Sequence, residues 1–262
     1  IDFSYDYHGK ARFRCNAYYQ QGRVSIALRL IPSVIKTLDE LNLPKILETF
    51  TQRKQGFFLV VGPVGQGKTT TLATLVEMIN QQRAEHIVTI EDPIEYLFEN
   101  KKSVIEQREV HIDTDNFHTG LYAAFRQDVD VIMVGEMRDA EPIATAITAA
   151  ETGHLVFATL HTNSAAQTIH RIVDSFPSES QSQVRAQLSG SLLGVVSQRL
   201  VPRLKGGLIP AAEIMMSNPA VSNLIRENKI HELPLVIETS AEKGMISLNR
   251  ALASLVRRKE IT

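Results

Sequence analysis

Residues 62–69 read Gly62-Pro63-Val64-Gly65-Gln66-Gly67-Lys68-Thr69 and satisfy the pattern G-x-x-x-x-G-K-[ST] in full. Glycines let a backbone wrap an anion without Cβ clashes. Successive N–H groups leading into a helix N-terminus present partial positive charge to it. Lys68 is expected to reach the β- and γ-phosphates of a nucleoside triphosphate, and the Thr69 hydroxyl to ligate Mg²⁺. With Thr70, these residues form the expected phosphate-binding set. A glycine-rich turn that binds nothing is the alternative. Against it, the loop follows the apolar run Phe57–Val61 and precedes a helical run from Lys68, the context this chemistry needs.

A triphosphatase must also hold its metal and orient a water. Carboxylates at the C-terminal ends of sheet strands suit both tasks, because ligands bind along that edge. Two such places occur. Ile87–Ile90 runs into Glu91-Asp92-Pro93-Ile94-Glu95, and Val131–Val134 runs into Gly135-Glu136, a Walker B arrangement with Glu in the acidic position. An acid at a strand end can also simply solvate it, and Glu95 is the weaker candidate. Glu91 and Glu136 are the expected catalytic and metal-binding acids, together with Thr69 for the metal. Their spacing leaves open which polarises the water and which serves the metal.

His161 ends the run Leu155–Leu160 on the same edge and is a candidate for contacting the γ-phosphate. His154 lies at the opposite end of that run and reads as a structural, hydrogen-bonded side chain. An arginine near the γ-phosphate, often from a neighbouring subunit, accelerates phosphoryl transfer. The candidates are Arg126, before the second acidic strand, and Arg12, Arg14 and Arg29 near the N-terminus; Arg138 is expected to pair locally.

The elements that position these groups follow from hydrophobic periodicity. Phe3, Tyr5 and Tyr7 alternate with polar residues. With Ala11–Tyr19 and Val24–Leu30, separated by turns at Gly9 and Gly22, they predict a three-stranded meander. It is expected to complete a domain whose earlier part precedes Ile1. Residues 32–55 read as a linker, broken by Ile31-Pro32 and loosely helical over Thr37–Phe50. From Gly56, short apolar runs alternate with helical patterns at Lys68–Asn80, Phe117–Arg126 and Glu141–Thr152, which predicts an α/β core with a mostly parallel sheet. Residues from about 164 onward read as mostly helical, with Ser164 an N-cap.

Lys plus Arg is 28 against 29 Asp plus Glu, so the net charge is −1. That balance, with no basic stripe interleaved with aromatics, argues against nucleic acid as partner. One cysteine, Cys15, can build neither an internal disulfide nor a cysteine-rich zinc module, and suggests a reducing compartment. The longest stretch free of Lys, Arg, Asp and Glu, Thr152–His170, has 19 residues but carries three His and four Thr, so no membrane span is expected.

These motifs in this order resemble the secretion-superfamily ATPases, most closely the type IV pilus retraction (twitching-motility) branch. The resemblance rests on the loop Gly62–Thr70, the Asp-box Ile90–Tyr96, the segment Arg126–Asp139, the His-box Thr152–Asn163 and Asn223–Lys229, which is similar to a retraction-specific motif. Val64 and Gln66 stand where Thr and Ser are usual, Thr69 stands for Ser, Val129 for Pro and Asn223 for Ala. The absence of a tetracysteine module also separates the chain from most extension motors. The resemblance implies a RecA-like P-loop NTPase core at residues 56–262, and a PAS-like N-terminal domain of which residues 1–31 are the last strands. It further implies a homo-hexameric Mg-ATP motor at the cytoplasmic face of the inner membrane, pulling on an inner-membrane platform protein to depolymerise a pilus. A pilus-assembly or type II secretion ATPase, or a nucleotide-gated interaction subunit, is the alternative.

Overall fold

The computed structural model describes residues 1–31 and 34–262; the expected break at Pro32 lies outside the described residues. Three antiparallel strands come first, β1 (Asp2–Tyr7), β2 (Ala11–Gln20) and β3 (Arg23–Ile31), paired in the order β1-β2-β3. The remaining strands are β4 (Gly56–Val61), β5 (His86–Glu91), β6 (Val104–Glu109), β7 (Val131–Val134), β8 (Leu155–Leu160), β9 (Leu192–Pro202) and β10 (Leu208–Met216). They form one sheet in the order β10-β9-β4-β8-β7-β5-β6. All its pairings are parallel except β9 with β10.

The middle of the sheet is apolar on both faces because both are covered. In β4, Phe57, Leu59 and Val61 enter one core layer while Phe58 and Val60 enter the other. The second layer is filled by α1 (Glu48–Thr51) and α2 (Lys68–Gln82). The first is filled by α3 (Phe117–Ala124), α4 (Ala140–Glu151), α5 (Ala165–Asp174) and α6 (Ser178–Ser191), with α7 (Pro219–Arg226) and α8 (Leu233–Thr239) behind them. The N-caps are polar where propensity rules call for it. Ser164 accepts from the Gln167 N–H at the start of α5, as its position suggests, and Asn116 and Asn218 cap α3 and α7. The last helix, α9 (Leu248–Arg257), packs Leu255 against Ile209 and Ala211 of β10. Among the described residues, no helix is long and apolar enough to cross a membrane.

The last third is helical over α5–α9, as expected, but it also holds two strands that its periodicity does not show: β9 and β10 form a long hairpin within it. Helix α6 passes into β9 with no turn residue between them, so local propensity gives no boundary. The strand is selected by pairing against β4, a tertiary effect. The segment from Thr37 to Phe50, expected as the loosely helical part of a linker, packs against the core. Leu38, Leu43, Leu47 and Phe50 are buried in the core, and a Cβ at Gly194 would lie 2.8 Å from the Phe50 ring.

The N-terminal sheet docks on the loop after β5. Arg12 donates through Nε to the Ile94 carbonyl (3.2 Å) and through Nη2 to Ser4 (2.8 Å), with Glu109 3.8 Å away. Glu109 in turn accepts from the Ser4 hydroxyl at 2.9 Å and the Ile94 N–H at 3.1 Å. This seam brings β2 and β3 over the C-terminal edge of the main sheet.

Candidate active site

Strand β4 ends at Val61, and the chain turns through Gly62–Gly67 into α2. Gly62 (φ +149°), Gly65 (φ +77°) and Gly67 (φ +79°) hold conformations that other residues rarely adopt. A Cβ on Gly62 would also lie 2.5 Å from the Gln198 carbonyl oxygen. Gly62→Ala is therefore expected to destabilise the protein by roughly 1–3 kcal/mol through backbone strain, read as a lower thermal midpoint.

A cleft of about 360 Å³ opens over this turn. Its lining includes Val64–Thr70, Glu91, Glu136 and His161. The loop, both strand-end acids and the histidine thus share one edge of the sheet, as parallel topology requires of groups at strand C-termini. Lys68 is buried at the back. Its Nζ donates to the Gly62 and Pro63 carbonyls at 2.8 and 2.9 Å and lies 3.1 Å from His161 Nδ1. Desolvation lowers its pKa, opposed by Glu136 and Glu95. The other ring nitrogen of His161 is 3.0 Å from Glu136 Oε1. Arg138 clamps both oxygens of Glu136, at 2.6 and 2.9 Å, which is the local pairing expected of it. Lys68, His161, Glu136 and Arg138 form a continuous polar chain. Burial pushes the Glu136 carboxyl up, but Arg138, His161 and Lys68 together outweigh it and hold the group below the usual carboxylate range. Glu136 is therefore ionised at neutral pH.

Glu91 sits differently. It is 3% exposed, with Thr89 Oγ1 donating at 2.7 Å and Gln107 Nε2 at 3.2 Å. Burial dominates these bonds and raises its pKa to about 7. Gly135 lets the two acidic strand ends approach: a Cβ there would meet the Ile90 carbonyl at 3.2 Å and Glu91 Cα at 3.3 Å. Two carboxylates in one cleft thus have different affinities for a proton because their environments differ, the pattern that separates acid–base roles.

The arginines sort by topology. Arg126 is not brought to the cleft. It follows α3, before β7 begins, so it lies toward the N-terminal edge of the sheet, where its guanidinium covers the Tyr122 ring at 5.6 Å. Within one chain Arg126 does not line the cleft, so a role at the phosphates would have to come from a neighbouring subunit. Arg14 and Arg29 do line the cleft, from β2 and β3, and Arg14 lies 3.4 Å from Glu95. Arg12 serves the docking seam instead. His154 packs on Phe125, and its Nδ1 lies 3.0 Å from the Ala149 carbonyl oxygen, a structural position.

Three contributors escape sequence reading. Tyr96 bonds Thr70 through its hydroxyl at 2.9 Å. Thr159 donates to the Gly135 carbonyl at 2.6 Å. Gln198 of β9 bonds the loop from behind. The two hydroxyls lie within the Asp-box and the His-box but have no side-chain type that marks a role there, and the β9 segment reads as helix by its local pattern; only a strand assignment for residues 192–202 would expose Gln198.

The sequence pattern of the type II/IV secretion system protein family matches residues 10–233. The chain belongs to this family. Among relatives, it is 48% identical over 255 residues to the "type IV pilus retractation ATPase PilT" of Pseudomonas aeruginosa, covering 97% of this chain and 74% of that protein. It is 48% identical over 258 residues to the "twitching motility protein" of Neisseria gonorrhoeae, covering 98% and 69%. A crystal structure of the pilus retraction motor PilT with bound ADP superposes with a TM-score of 0.93 at 49% identity, covering 100% of this chain and 75% of that one. This secretion-family protein is an ATPase, and its RecA-like α/β core is the fold of its solved relatives.

Proposed function

We propose that the protein hydrolyses Mg-ATP in this cleft and couples the reaction to retraction of a type IV pilus. In this reading it is a homo-hexamer at the cytoplasmic face of the inner membrane, pulling on a platform protein there. Its β1–β3 sheet closes a PAS-like N-terminal domain, residues 32–55 join the two, and residues 56–262 form the motor domain. The observation that carries the chemistry is the buried ammonium of Lys68, held between loop carbonyls and the His161–Glu136 pair at the end of a phosphate-loop strand. The retraction role rests on relatives carrying that activity in their names.

Within the cleft, Lys68 exchanges carbonyl partners for the β- and γ-phosphates, and the loop N–H groups with the start of α2 bind their oxygens. Among the described residues, no three His, Cys, Asp or Glu side chains cluster into a metal cage. Magnesium needs none: one or two protein oxygens plus substrate phosphates and waters suffice. The Thr69 hydroxyl and the ionised Glu136 are hard oxygen donors of that kind and fit it, with Glu91 as a further carboxylate beside them. Bound there, the metal would neutralise charge on the phosphates. Glu91, poised near neutrality, accepts the proton of the attacking water. Glu136 orients His161, which faces Lys68. Arg14 and Arg29 line the cleft where they can meet phosphate charge, and Arg126 would act only across a subunit boundary.

ATP turnover by the purified chain, with and without Mg²⁺, tests the enzymatic half. No phosphate release above background would refute it. Glu136→Gln is expected to raise the Mg²⁺ concentration for half-maximal turnover by roughly tenfold or more, on the scale of lost metal-site support. Expression in a pilus-bearing bacterium that lacks its own retraction ATPase tests the other half: surface motility should return with the wild type and not with Lys68→Ala.

A further inference from the structure

Strand β9 runs past the end of β4, whose last paired residue Val61 faces Ser197, so the next residue of β9 lies behind the phosphate loop. That residue, Gln198, is 3% exposed and is not part of the cleft lining. Its Nε2 donates to the Gln66 carbonyl oxygen at 2.6 Å. Its Oε1 accepts from the Thr71 hydroxyl at 2.8 Å. Two residues on, the Leu200 N–H donates to the Gln66 side-chain oxygen at 2.7 Å. Two loop glycines lie against the same side chain and backbone. A Cβ on Gly62 would meet the Gln198 carbonyl, and one on Gly67 would lie 3.0 Å from Gln198 Nε2.

The peptide between Gln66 and Gly67 is planar and trans, so its C=O and N–H point to opposite sides. Tying the carbonyl to Gln198, behind the loop, turns the Gly67 N–H toward the cleft. The Gln66 carbonyl can only accept, so Nε2 must face it, and Oε1 is left to accept from the Thr71 hydroxyl, which holds the far end of the side chain. We propose that Gln198, held by Thr71, is a positioning residue that aims the Gly67 N–H at the nucleotide phosphates, with the Gln66 side chain holding the loop a second time on β9. Gln66 stands where the family resemblance would place a serine, whose side chain is too short for the bond to Leu200. The second clasp is a feature of this chain's own sequence. The proposal rests on the assignment of the loop as the phosphate site.

The role has a signature that simple structural support lacks. Gln198 does not line the cleft and its side chain bonds only the loop and Thr71, so its loss should weaken ligands in proportion to their phosphates. In Gln198→Leu, similar in size and without hydrogen bonds, the Kd of ADP and of pyrophosphate should rise about tenfold, the order of one lost donor to a charged group. The Kd of adenosine should stay within about twofold, and KM for ATP should rise more than kcat falls. Thr71→Val, which keeps shape and removes only the hydroxyl, should give the same pattern at smaller size, and Thr71→Ser should restore wild-type binding. Gln66→Ser should weaken ADP by about threefold. Thr71→Val keeps the test sharp should Gln198→Leu fail to fold. Unchanged ADP affinity in folded Gln198→Leu or Thr71→Val, or an equal loss for adenosine, overturns the positioning role. A wild-type protein that binds adenosine but neither ADP nor pyrophosphate overturns the phosphate-site assignment itself.

Discussion

Replacing Lys68 by alanine is expected to lower ATP turnover by at least about 10²-fold, the scale of removing one electrostatic donor from a transition state. The reason lies in its surroundings. The ammonium is buried, and its three protons face the Gly62 carbonyl, the Pro63 carbonyl and His161 Nδ1. Two of those partners are uncharged carbonyls, so a triphosphate competes for the lysine with a large electrostatic advantage. Steady-state phosphate release is the measurement, with thermal unfolding alongside it. The variant should fold, since the two loop carbonyls it abandons can take water. Turnover within threefold of wild type would mean that the cleft over the loop is not the hydrolytic site.

Changing Glu91 to glutamine should act on activity and stability in opposite directions. As general base its removal should cost about 10²–10⁴ in kcat. Its effect on folding follows from burial. The carboxyl ordinarily titrates near 4.5 and in the folded protein near 7. A raised pKa means that the native state holds the proton more tightly than the unfolded chain. The stability so gained is fully present below pH 4.5 and is lost as pH rises to about 7, above which an uncompensated charge stays buried. Glutamine keeps the shape and never ionises. The variant should match the wild type at about pH 4.5 and exceed it by roughly 3 kcal/mol above about pH 8, an upper figure from the size of the shift. Denaturant unfolding at a series of pH values reads this directly. Wild-type kcat/KM should show an acid limb with an apparent pKa of about 7, absent from the residual activity of Glu91→Gln. Parallel stability curves for the two proteins, or an activity unaltered by the substitution, would remove Glu91 from the role of general base.

Gain in stability with loss of turnover marks a residue kept for chemistry, and it explains the contrast with Glu136. Both acids end parallel strands, and nothing in their local sequences ranks them. Arg138 lies two residues from Glu136 and neutralises it, whereas Thr89 and Gln107 offer Glu91 only neutral donors. The difference in proton affinity, on which the proposed division of labour rests, comes from burial and these partners, of which Gln107 arrives from the neighbouring strand β6.

The amino-acid sequence by itself determined the groups whose chemistry is local. Residues 62–70 carry the glycines, lysine and hydroxyl of the proposed phosphate cradle one after another in the chain. Glu91, Glu136 and His161 had to share an edge because each ends an apolar run of a parallel sheet. What required contact across the chain was decided only by the tertiary structure. Arg14 and Arg29 reach the cleft because β1–β3 dock on the loop after β5 through Arg12 and Glu109. Gln198 reaches the phosphate loop because residues 192–202 form a strand alongside β4 rather than continuing α6. Side-chain type and spacing encode reactivity over a few residues. Strand pairing, which can override helical propensity at a junction without a turn, sets which distant side chains that reactivity meets.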